Sequence, residues 1–127
     1  MVDSARRVLV VEDNLDTVHS LVLLLRDMGH RVEYAINGYA ALDIARRFLP
    51  EFVFLDLGLP GLDGFEVVSR LKREPGFEGT RFIAVTGYGQ DEYRTRSQAA
   101  GCEQHIVKPV SPRFLYSLLG GVATAQG

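Results

Sequence analysis

Four short apolar runs in this chain each end abruptly in a polar residue. Val8-Leu9-Val10-Val11 runs into Glu12-Asp13, Phe52-Val53-Phe54-Leu55 into Asp56, Phe82-Ile83-Ala84-Val85 into Thr86, and Ile106-Val107 into Lys108. Continuous apolar runs of this length, rich in Val, Ile and Phe, suit strands covered on both faces in a parallel sheet. Ligands of open parallel sheets bind outside the carboxyl ends of the strands. Three carboxylates, one hydroxyl and one ammonium are therefore expected to converge on one cleft.

The rest of the chain supplies the helices such a sheet needs. Asn14 is placed to cap a first helix with Leu15, Val18, Leu21, Val22, Leu25 and Met28 on its apolar face, and Gly29 ends it. Arg31 to Ile36 alternates, with Val32, Tyr34 and Ile36 on one side, as an edge strand does. Asn37-Gly38 opens a second helix burying Ala41, Ile44, Ala45 and Phe48, stopped by Pro50. A third starts near Asp63-Gly64, buries Phe65, Val68 and Leu71, and ends before Pro75. A fourth, about 90–100, is so polar that its apolar stripe is thin, which predicts an element easily shifted. Ser111 caps a last helix with Pro112 in its first turn and Leu115, Leu118, Leu119 and Val122 facing the core. Residues 123–127 read as a frayed tail. Strict alternation of five strands and five helices predicts an α/β, doubly wound parallel sheet.

At 127 residues the chain is expected to be one domain, 1–127, able to bury roughly two-thirds of its unfolded surface. A net charge of −2 argues against direct nucleic-acid binding and against attraction to an anionic membrane. The single cysteine, Cys102, cannot form an internal disulfide and is expected to be a buried structural thiol. His19, His30 and His105 have no zinc spacing. No apolar stretch is long enough to span a bilayer and no signal-peptide pattern follows Arg6-Arg7, so the expected location is cytoplasmic.

The chemistry centres on Asp56. Beside it, Glu12 and Asp13 form a carboxylate cluster that needs a cation or shared protons. Oxygen ligands without His or Cys favour a hard cation, and magnesium keeps sites open for water or phosphate oxygens. Lys108 and Thr86 add a compact positive charge and a hydroxyl, which suit the outer oxygens of a phosphoryl group. Asp56 can then act as nucleophile and form an aspartyl phosphate. Each residue alone reads better as an ordinary solvated strand-end or turn group; the complementary set does not. The Gly-rich loop Leu57 to Gly64 is ordinary turn chemistry and can also bring main-chain carbonyls near a metal.

Glu12-Asp13, Asp56 with Pro60 and Asp63-Gly64, Thr86-Gly87 and Lys108-Pro109, in this order and spacing, make the chain resemble the receiver domains of two-component response regulators. The resemblance covers essentially the whole sequence. It implies a flavodoxin-like strand order 2-1-3-4-5, helices on both faces, and transfer of a phosphoryl group from a histidine kinase or phosphotransfer domain to Asp56. It further implies Asp13 as a direct Mg2+ ligand, Glu12 acting through water, the Gly58 carbonyl as a main-chain ligand, Thr86 and Lys108 holding phosphoryl oxygens, and a cis peptide before Pro109. An output partner would meet the fourth helix, fifth strand and fifth helix. Such a module is a switch rather than an enzyme, with self-catalysed phosphorylation and dephosphorylation only.

Leu59 replaces a frequent methionine. His105 stands where many members carry the Tyr or Phe of the switch, and it reads either as a switch residue or as a half-exposed edge residue. Histidine here resembles receivers joined to hybrid histidine kinases. Tyr88 and Gly58 occupy the variable positions flanking the site. Two other functions fit the fold. A haloacid-dehalogenase-type phosphatase needs an acid/base two residues after its nucleophile, where this chain has Gly58. A flavodoxin-like cofactor binder needs a phosphate-binding loop where this chain has Glu12-Asp13-Asn14, which would repel the phosphate.

Overall fold

A computed structural model describes residues 5–87 and 91–120. Strands and helices alternate as β1 (Arg7–Val11), α1 (Leu15–Asp27), β2 (Arg31–Ala35), α2 (Gly38–Phe48), β3 (Phe52–Leu55), α3 (Gly64–Lys72), β4 (Arg81–Thr86), α4 (Asp91–Ala100), β5 (Gln104–Val107) and α5 (Pro112–Leu119). All strand pairs are parallel, in the order β2-β1-β3-β4-β5. The expectations for Tyr88, Val122 and the 123–127 tail fall outside the described residues.

The pleat explains why the central runs are apolar without interruption. Leu9, Val11, Val53, Leu55, Phe82 and Ala84 join one core with α2 and α3, while Val8, Val10, Phe52, Phe54, Ile83 and Val85 join a second with α1 and α5. Alternate residues thus enter opposite cores, and both faces are dry. Each such large side chain contributes about 2 kcal/mol by leaving water.

Local chemistry sets the helix starts. Asn14, Asn37, Asp63 and Ser111 each accept a backbone N–H three residues on, at 2.8–3.0 Å. Such a cap contributes about 1 kcal/mol. Gly29, with φ 97°, turns the chain after α1 in a left-handed conformation that costs glycine little.

Three expectations need correction. Leu15 is 54% exposed, because it is the first residue of α1 and precedes the turn that meets the sheet. β2 ends at Ala35, and on this edge strand Tyr34 and Ile36 stay exposed while Val32 is buried. β5 is the opposite edge, not a strand covered on both faces: its first three residues are half-buried and Val107 is exposed. Leu42 of α2 and Val67 of α3 are buried core residues that the helical patterns left out.

Candidate functional site at the carboxyl edge of the sheet

The register brings the polar strand ends together. Asp56 N–H donates to the Val11 carbonyl at 2.9 Å, Glu12 N–H to the Ala35 carbonyl at 3.0 Å, and Lys108 N–H to the Thr86 carbonyl at 2.8 Å. The first residue beyond each strand is therefore held by its neighbour's last residues. Its side chain is aimed by the sheet rather than by a free loop.

Glu12 is buried, Asp56 half-buried and Asp13 exposed, and each offers an oxygen within 4.8 Å of the others. Lys108 answers this charge. Its Nζ donates to Glu12 Oε1 at 2.5 Å and to Asp56 Oδ2 at 3.0 Å. Glu12 Oε2 accepts the Asn14 N–H at 3.0 Å, and Asp56 Oδ1 accepts the Gly58 N–H at 2.9 Å. Both carboxylates are thus oriented through both oxygens. The peptide between Lys108 and Pro109 is cis.

Burial pushes the Glu12 carboxyl above its usual range despite the Lys108 and Asn14 hydrogen bonds, and the Asp56 charge adds to the rise. Burial alone would lower the Lys108 pKa. The hydrogen bonds to Glu12 and Asp56 overcome it, and the ammonium is held above its usual value. One lysine therefore serves a cluster of three carboxylates, and the cluster still carries excess negative charge. A set of convergent oxygen donors lacking His and Cys fits Mg2+ rather than a thiophilic metal.

The loop after Asp56 is tied to α3 by close backbone contact. Gly64 N–H points to the Leu57 carbonyl at 3.4 Å, and a Cβ on Gly64 would lie 2.6 Å from the Asp56 carbonyl oxygen. Only glycine permits that approach. On the other side, a cavity of about 340 Å³ runs between α1 and the segment after β5. Val10, Leu21, Leu24 and Phe54 are among its apolar lining, and Glu12, Asp56 and Lys108 line it too.

Thr86 is 1% exposed at the end of β4. His105, half-buried on β5, pairs in register with Ala84, and Thr86 pairs with Val107. Thr86 and His105 therefore share one sheet face on adjacent strands, the face that also carries α2 and α3. The structure brings together Glu12, Asp13, Asp56 and Lys108 as expected from sequence, with Gly58 donating its N–H into the group. The two orienting amides, of Asn14 and Gly58, and the contact at Gly64 were missed. The Asp63-Gly64 pair was the one available signal for the last.

Among the described residues, no helix is long and apolar enough to cross a membrane. The response regulator receiver domain model matches residues 8–119. The polar-differentiation response regulator DivK of Brucella anthropi is 33% identical over 114 residues, covering 89% of this chain and 93% of that protein. The chemotaxis protein CheY4 of Vibrio cholerae superposes with a TM-score of 0.85 at 27% identity, covering 91% of this chain and 97% of that one. The receiver domain of a sensor histidine kinase from Pseudomonas aeruginosa, solved with a magnesium ion coordinated in its active site cleft, superposes with a TM-score of 0.83 at 26% identity over 91% of this chain and 94% of that one. An acidic cluster answered by a single lysine, on a 2-1-3-4-5 sheet and with these relatives, has one reading: the chain belongs to the response regulator receiver domain family and is a phosphoacceptor signalling module of a two-component system.

Proposed function

We propose that Asp56 is the phosphoacceptor and that a histidine kinase or phosphotransfer protein is the donor. The observation that carries this is the Lys108 bridge to Asp56 Oδ2 at 3.0 Å beside the Glu12–Asp13 oxygens. An Asp56 oxygen attacks the phosphorus of a phosphohistidine. A P–O bond forms as the P–N bond breaks, and the imidazole departs with the electron pair. Lys108 is already within reach of the developing charge and transfers from carboxylate to phosphoryl oxygen. Thr86 supplies a second donor to the phosphoryl group.

Asp13, Asp56 and the Gly58 carbonyl would hold Mg2+ directly, and Glu12 would act through water. Bound there, the ion neutralises charge shared by the carboxylates and the phosphoryl oxygens. The apolar cavity beside Asp56 supports approach of the donor along α1. Thr86 and His105, on one sheet face, support a switch towards α4, β5 and α5, where an output partner would read it. Phosphorylation and its reversal would both be catalysed at this site by its own residues, in a cytoplasmic setting.

The phosphatase reading is not favoured, because Gly58 has no side chain to act as acid/base. Incubation with acetyl phosphate and Mg2+ should add one phosphoryl group to the protein, seen by intact-mass spectrometry and absent in Asp56→Asn. An equal gain in Asp56→Asn would overturn the assignment.

A further inference from the structure

α4 has few anchors in its own sequence, yet among the described residues a well-formed contact ties it to α3. The Arg96 guanidinium carbon lies 3.9 Å from the centroid of the Phe65 ring. Arg96 is exposed, while Phe65 is 9% exposed and belongs to the core cluster under α2 and α3. Ala100 packs at the edge of the same cluster, and Lys72 Nζ reaches the Gly101 carbonyl at 3.5 Å. Phe65 directly follows Gly64, whose Cα rests against the Asp56 carbonyl without room for a methyl group.

That sequence of contacts has no slack at its first step. A shift of the Asp56–Leu57 backbone must move Gly64, and the Phe65 ring moves with the first turn of α3. The guanidinium stacked on the ring either follows or loses its contact. We infer that the Phe65–Arg96 stack couples the acceptor loop to α4, a second route beside the one from Thr86 to His105. The inference rests on phosphorylation at Asp56. Coupling is reciprocal, so loosening α4 also alters how readily the loop adopts its loaded state.

Hydrogen exchange of the full chain, with and without beryllofluoride and Mg2+ as the phosphoryl mimic, tests it. Arg96→Ala should speed exchange of the resting α4 amides about fivefold, the effect of losing one cation–π contact. In the wild type the mimic should change exchange in both the 57–64 loop and α4. In Arg96→Ala the loop change should persist and the α4 change should shrink to the part carried from Thr86 and His105, with Arg96→Lys giving an intermediate response. An α4 response indifferent to Arg96, beside an intact loop response, would overturn the coupling alone. No loop response in the wild type would overturn the phosphoacceptor reading and the coupling with it.

Discussion

The two ends of the sheet are both charged, and they handle charge in opposite ways. At the amino edge, Arg81 forks onto Glu103 with bonds of 2.9 and 2.5 Å, and Arg6 lies 3.7 Å from Glu51. The guanidinium carbons of Arg81 and Arg6 lie 4.9 and 5.8 Å from the centroid of the Phe52 ring. Each of these two guanidiniums faces a carboxylate of its own. At the carboxyl edge, a cluster of three carboxylates shares one lysine. The balanced end closes the strands, whereas the unbalanced end is left to be completed by what binds there.

The most severe way to break this contrast is Lys108→Met. It strands two partly dehydrated carboxylates and should cost about 2 kcal/mol of stability in chelator. Millimolar Mg2+ should restore much of it, as read by urea unfolding with and without the ion. A loss that ignores Mg2+ would make Lys108 merely structural.

The ends should also titrate in opposite senses. His30 is 5% exposed; its Nδ1 accepts the Arg6 N–H at 3.0 Å and its Nε2 has no partner among the described residues. Burial, reinforced by the Arg6 charge and opposed by Glu51, holds its pKa below 6.5. The unfolded chain then binds more protons in that window. This stabilisation is complete above 6.5 and is lost as pH falls through the folded value, by at most about 1.4 kcal/mol per pH unit. Urea midpoints from pH 5 to 8 should lose that slope in His30→Gln.

Glu12 is the reverse case. Its folded pKa lies above 4.5, so its contribution is present below 4.5 and declines as pH rises through the folded value. Glu12→Gln should remove that decline, and an unchanged profile would refute the burial cost assigned to this carboxyl. The smallest effect belongs to the matched end. Arg81→Ala with Glu103→Ala, in a double-mutant cycle, should give a coupling under about 1 kcal/mol, reduced further by salt. A larger value would erase the distinction between the two ends.

The central strands and the helix caps were legible because each depends on local pattern. Runs such as Phe52 to Leu55 read as doubly buried, and Asn14 and Asn37 as caps, without knowledge of neighbours. Of the two edges, β2 was legible in the same way, from its alternation, and β5 was not. Ile106-Val107 resembles a central strand, and only sheet order reveals that β5 has one neighbour. In the candidate site, residue types identified Glu12, Asp13, Asp56 and Lys108. Besides Lys108, the contacts that hold Glu12, Asp56 and the following loop come from backbone amides and from Gly64, which carry no side-chain signal. Arg96 was invisible for a related reason: an arginine on a polar helix looks solvated until the ring beneath it is placed.

Cys102 has a practical consequence. It is the chain's only cysteine, it is 6% exposed, and burial pushes its thiol up to about 12 despite the charge of Lys72. At neutral pH it carries almost no thiolate, and alkylating reagents attack thiolate. The native chain therefore accepts a single engineered surface cysteine for spectroscopic labelling, with no need to remove the one it has.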